Sequence, residues 1–155
     1  PINFSFDRKK EINDENTYEF KLGKGVVLSE GKDVTIIATG IMVDAAIEAK
    51  DILANEGINA KVINIHTIKP LDSELIIEAA KETGAIVTAE EHSVIGGLGS
   101  AVAEAVTEKY PVPVLKVGVN DVFGESGKPD ELLKAYNLTA QDIVNKVKDA
   151  ITLKK

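Results

Sequence analysis

The stretch Val34–Ile65, VTIIATGIMVDAAIEAKDILANEGINAKVINI, decides the fold class. It opens on Val34-Thr35-Ile36-Ile37-Ala38, a continuous β-branched run of the kind found in a strand covered on both faces. Met42, Ala45, Ala46, Ala49, Ile52 and Leu53 then recur at helical spacing, and Gly57 is placed to stop that helix. Lys61-Val62-Ile63-Asn64-Ile65 reads as the next strand. A strand, a helix and a strand in this order form a βαβ unit, whose strands run parallel because a helix joins them.

Downstream the alternation continues. Asp72 can cap a helix carrying Leu75, Ile76, Ala79 and Ala80, closed by Gly84. Ala85-Ile86-Val87-Thr88-Ala89 is a strand, followed by a Gly-rich loop and a helix with Val102, Ala105 and Val106. Pro111 and Pro113 bracket the turn into the strand Val114-Leu115-Lys116-Val117. Pro129 suits the first turn of a short helix through Leu132 and Leu133. Thr139 with Asp142 resembles a capping box for a last helix carrying Ile143, Val144, Val147 and Ile151.

Upstream, Gly25-Val26-Val27-Leu28-Ser29 is a short strand and Glu30-Gly31-Lys32-Asp33 a tight turn. So short a link predicts a hairpin, with the first strand antiparallel to the rest. Residues 1–17 read as a polar arm or linker, and Tyr18, Phe20 and Leu22 alternate with charges like an extended segment. The expected organisation is an arm over residues 1–17 and one α/β domain over 18–155, in three α/β/α layers.

Composition bounds the function. The chain has 155 residues, 44% of them hydrophobic and 28% charged, which is globular composition. There is no Cys, so disulfides, thiolate chemistry and Cys-based zinc sites are excluded. Two His, His66 and His92, rule out a three-His metal site within one chain. A net charge of −7 disfavours nucleic acid and anionic membranes as partners, and no apolar run reaches membrane-spanning length. A cytoplasmic location is the expectation. The opening Pro1-Ile2-Asn3 lacks an initiator Met, which suggests a piece of something longer.

In open α/β sheets, sites form beyond the carboxyl ends of parallel strands. The most loaded segment there is Glu90-Glu91-His92-Ser93, followed by Gly96, Gly97 and Gly99 at a helix start. It reads as an anion or partner site, because free N–H groups at a helix N-terminus attract anions. Before any resemblance is considered, the reading the residues favour is a tight turn and a close helix–sheet packing that need Gly. Weaker candidates are Thr39-Gly40 at a βα turn and His66 after a strand. A dinucleotide fingerprint fails, because Gly97-x-Gly99 puts Val102 where Gly or Ala is needed. There is no Walker A motif and no nucleophile elbow.

Four segments stand in a telling order: Gly23 to Gly40, Val62 to Asp72, Glu90-Glu91-His92-Ser93 with Gly96-Gly97-Leu98-Gly99, and Phe123-Gly124-Glu125-Ser126-Gly127. Together they resemble the transketolase C-terminal domain. The resemblance runs from Tyr18 to about Ile151. It implies a five-stranded mixed sheet in order 1-3-2-4-5, with strand 1 antiparallel. It implies a part of a thiamine-diphosphate enzyme that moves a two-carbon ketol unit between sugar phosphates. In such enzymes the cofactor and a divalent metal, magnesium or calcium, lie on other domains. This chain is then expected to bind neither alone, to hold no catalytic residue and to be inactive in isolation. It would supply assembly and homodimer contacts to the cofactor-binding domains or subunit. The alternatives are a stand-alone anion-binding or regulatory module, or the equivalent domain of another such enzyme, for example deoxyxylulose-phosphate synthase.

Overall fold

A computed structural model describes residues 21–120 and 129–154. The readings of the arm, of Tyr18 and Phe20 and of the loop Phe123–Gly127 lie outside the described residues. Five strands, β1 (Val26–Ser29), β2 (Val34–Ala38), β3 (Ala60–Asn64), β4 (Ile86–Ser93) and β5 (Val114–Val119), form one sheet in the order β1-β3-β2-β4-β5. β1 is antiparallel to β3, and the other pairs are parallel. The helices are α1 (Met42–Asn55), α2 (Ser73–Thr83), α3 (Leu98–Lys109), α4 (Pro129–Ala135) and α5 (Ala140–Thr152).

Strand alternation splits the core in two. Ile36, Ala38, Val62, Val87, Ala89 and Val117 face α1 and α5. Ile37, Ile63, Ile65 and Ile86 face α2 and α3. With helices on both faces, every residue of β2 is buried, as its unbroken β-branched run requires.

The antiparallel first strand is present, but the hairpin is not. β1 lies beside β3, and its link to β2 steps over the amino end of that strand. The N–H groups of Lys32 and Asp33 both donate to the Asn59 carbonyl, at 3.1 and 3.0 Å. Gly31 lies flat on the main chain of Ala60 and Lys61, where a Cβ would fall 2.3 Å from the Ala60 carbonyl carbon. The four-residue turn is therefore a bridge across one strand, made possible by a missing side chain.

The helix signals act as read. Asp72 caps α2 through Leu75 N–H, and Gly84 ends it in the left-handed conformation at φ 71°. Thr139 and Asp142 form a reciprocal capping box on α5. Asp72 also accepts from Gly25 N–H at 3.0 Å, so one buried carboxylate ties the start of β1 to the start of α2.

Lys61 is buried in β3 and paired with Glu82 of α2 and with Glu30, the latter at 3.1 Å. Burial pulls its pKa down, but hydrogen bonds and charge from the two carboxylates outweigh it and leave the pKa above the usual 10.5. A raised folded-state pKa stabilises the fold below the unfolded value and ceases to do so as pH rises through the folded one. Thermal unfolding followed from pH 8 to pH 12 should therefore show a loss of stability above about pH 10.5 that Lys61→Met reduces.

Candidate functional site

The sheet order places a switch point between β2 and β4. From β2 the chain leaves through α1 toward β3, and from β4 it leaves through α3 toward β5 on the other side. The carboxyl ends of β2 and β4 lie side by side there, with Ala38 paired to Ala89. This is where such folds place ligands and partners.

The strand β4 runs through Ser93, four residues past the expected end at Ala89. Its pairing with β5 shifts register after Ala89 and resumes with Ser93 opposite Val119. Glu90 to Ser93 are thus strand residues, and the loop proper is Val94 to Gly97. Being adjacent on a strand, Glu90 and Glu91 point to opposite faces.

Glu90 turns toward α3 and is 1% exposed. Its carboxylate accepts from Leu98 N–H at 2.8 Å and Gly99 N–H at 2.9 Å. These are the helix N-terminal donors that could have held an external anion, and the chain fills them with its own. The glycines make room for it. A Cβ on Gly97 would lie 2.0 Å from Glu90 Oε2, and one on Gly118 of β5 3.2 Å from Glu90 Cγ.

Glu91 turns to the other face and is exposed. It leans over the start of α1, where a Cβ on Gly40 would lie 3.3 Å from its Oε1. No side chain of its own caps α1, so this carboxylate also sits favourably near a helix N-terminus. Two consecutive glutamates thus serve the starts of two helices on opposite faces of the sheet.

The loop is wired beyond this. Ser93 Oγ accepts from Ile95 N–H at 3.2 Å, and Ser100 Oγ accepts from Gly96 N–H at 3.0 Å. Lys116 Nζ of β5 donates to the Val94 carbonyl and to Ser100 Oγ, each at 3.2 Å. Thr88 Oγ1 is buried beside Gly99, with no hydrogen-bond partner among the described residues. His92 and Ile95 are exposed on this framework, Ile95 at 66%.

The expected site residues divide accordingly. Glu90 binds Gly99 N–H and packs under Gly97, Ser93 and Gly96 hold the loop through Ile95 and Ser100, and Glu91 lies over Gly40 next to Thr39. His66 follows β3 at the same end of the sheet and meets Thr67 Oγ1 through Nδ1 at 3.0 Å. Sequence reasoning missed Lys116, Ser100 and Gly118. The signal for Lys116 was a lone cation inside an apolar strand, which has to find oxygen partners.

The sequence profile of the transketolase C-terminal domain matches residues 23–143. The chain belongs to this family. It is 56% identical over 133 residues to a 6-deoxy-6-sulfo-D-fructose transketolase subunit of Clostridium sp. (strain MSTE9), covering 86% of this chain and 41% of that one. It is 45% identical over 131 residues to a 1-deoxy-D-xylulose-5-phosphate synthase of Heliobacterium modesticaldum, covering 84% of this chain and 20% of that one. A solved split-gene transketolase, described as an inactive β4 tetramer, superposes with a TM-score of 0.85 at 61% identity, covering 88% of this chain and 45% of that one. The transketolase C-terminal domain thus spans less than half the length of these relatives.

Thiamine diphosphate, which the family resemblance implies, does not fit the described residues. The two buried carboxylates, Glu90 and Asp72, both accept main-chain N–H groups. No group of three His, Asp or Glu among the described residues is placed to hold a metal ion. No step of the cofactor's chemistry is assigned to this chain.

Proposed function

We propose that this domain completes a thiamine-diphosphate transketolase that moves a two-carbon ketol unit between anionic sugars, contributing assembly and not cofactor chemistry. The observation that carries the reading is 56–61% identity with transketolase chains more than twice as long as the matched part. The partner is the cofactor-binding part of the same enzyme, on the same polypeptide or a separate one. The complete enzyme takes sugar phosphates or, as the clostridial relative's name suggests, a sulfonated ketose. A homodimer or larger assembly is part of this reading, supported by the tetramer described for the split-gene neighbour, and a cytoplasmic location is proposed with it.

Glu91, His92 and Ser93, held up by the Glu90 anchor, are the surface proposed to meet the rest of the enzyme. Gly96, Gly97 and Gly99 shape the loop, while Thr39, Gly40 and His66 flank it. The stand-alone anion-binding reading is weakened by Glu90, which already occupies the α3 N–H groups. The deoxyxylulose-phosphate synthase reading draws on a lower identity.

The test mixes this chain with the cofactor-binding part, loaded with thiamine diphosphate and magnesium, and follows ketol transfer from a ketose phosphate and from sulfofructose. Activity is expected in the mixture and not from this chain alone. Equal activity with and without this chain would remove its role in the enzyme.

A further inference from the structure

A groove of about 1110 Å³ opens between α1, α4 and the start of α5. Its floor is apolar, with Met42 and Ala45 from α1, Val119 from β5, and Leu132, Tyr136 and Leu138 from the α4–α5 segment. Ile41 just before α1 and Ala45 and Ile52 on it present apolar side chains to the groove, and Asp44 and Glu48 carboxylates, which is one stripe at helical spacing. Glu91 projects from the end of β4 into the same wall.

Among the described residues the rim is electrostatically one-sided: Asp44, Glu48 and Glu91 are all exposed, on the α1–β4 side, and Lys134 is the cation opposite. Three carboxylates around one groove give it a negative potential, which an approaching cation relieves. An apolar floor under an acidic lip fits an extended or helical segment that buries aliphatic side chains and lays Lys or Arg along the lip. An organic cation lacking apolar bulk would leave the floor wet, and an acidic segment would be repelled.

We infer that this groove receives an apolar segment with flanking basic side chains, carried by the cofactor-binding part of the enzyme. The inference rests on the proposed function and names the surface and the chemistry of that contact. It extends the contact from the β4 end, where Glu91 stands, along the first three turns of α1.

The chain has no Cys, so a single introduced thiol reports on one place. Gln141→Cys puts a thiol on the groove wall, and Thr107→Cys puts one on α3, away from it; both positions are exposed. Alkylation is timed for each variant alone and with the cofactor-binding part of the enzyme, and complex formation is followed by sedimentation. The expected result is a complex in which Cys at 141 reacts at least tenfold more slowly while Cys at 107 is unchanged. A complex with both thiols unchanged overturns the groove as the contact while leaving the proposed function standing. No complex at all overturns both. Protection at 141 in the chain alone also overturns the inference, since a second copy or the chain's own residues then fill the groove.

A charge test separates the lip from net charge. Asp44→Lys with Glu48→Lys is compared with Glu104→Lys with Glu108→Lys, a matched exposed pair on α3. The first pair should weaken the complex at least tenfold, and the second should leave it within about twofold. Equal weakening by both pairs overturns the inference. Unchanged unfolding midpoints confirm that each variant is folded.

Discussion

Glu90→Ala is expected to destabilise the domain by roughly 3–5 kcal/mol, because it removes two charge-assisted hydrogen bonds and strands two buried N–H donors. The same carboxylate explains a second large effect. Gly97→Ala would place a Cβ 2.0 Å from Glu90 Oε2 and 2.9 Å from the Ser93 carbonyl oxygen. The side chain at 90 then has to leave its seat, so this variant should lose about 3 kcal/mol by the same route. The two changes share one cause and should not add. With Ala at 90 the collision partner is gone and only the Ser93 contact remains. Urea unfolding of both single variants and the double should give a coupling of at least about 1.5 kcal/mol. Additive losses would mean that Glu90 and Gly97 act independently, contrary to the geometry.

Gly31→Ala is the second expected result, at about 3 kcal/mol of lost stability. Its Cβ would fall 2.3 Å from the Ala60 carbonyl carbon and 2.4 Å from Lys61 N. These are main-chain atoms of a strand held by β1 on one side and β2 on the other, so they cannot swing aside as a side chain would. The link must lift, and the hydrogen bonds of Lys32 and Asp33 to Asn59 go with it. Gly57→Ala is the comparator. Nothing lies within 4 Å of its Cβ, but its φ is +82°, so its cost is conformational and about 1–2 kcal/mol. A Gly31→Ala variant less affected than Gly57→Ala in urea unfolding would contradict the bridge across β3.

Most of the parallel core could be read from the sequence, because its signals are local. A β-branched run, helical spacing and a stop glycine need only their own segment, and β2, α1, α2 and α5 formed where Val34, Met42, Asp72 and Thr139 place them. The partner of β1 was not readable in this way. A four-residue turn normally closes a hairpin, and what prevents it is the contact of Gly31 with Ala60, which lies 29 positions later in the chain. The strand order came from the family resemblance, not from the residues.

The site was half legible for a related reason. Acid residues, a His and glycines near a strand end marked the place. That Glu90 faces inward and Glu91 outward depends on β4 continuing to Ser93, which rests on the pairing with Val119. A carboxylate before a Gly-rich helix start looks the same in sequence whether it invites a ligand or replaces one. Only the distances from Glu90 to Leu98 and Gly99 separate the two.

The reversed direction of β1 also sets a point of attachment. Because it runs against β3, its first residue, Val26, lies opposite Asn64, at the end of the sheet where β3 finishes. Asp72 fixes that end through Gly25 N–H. The segment Lys21–Lys24 therefore sits at the same rim as Glu91 and His92. A parallel first strand would have delivered it to the opposite rim, more than 10 Å away for a strand of this length. One backward strand of four residues thus brings the segment that leads into it to the rim where the candidate site lies.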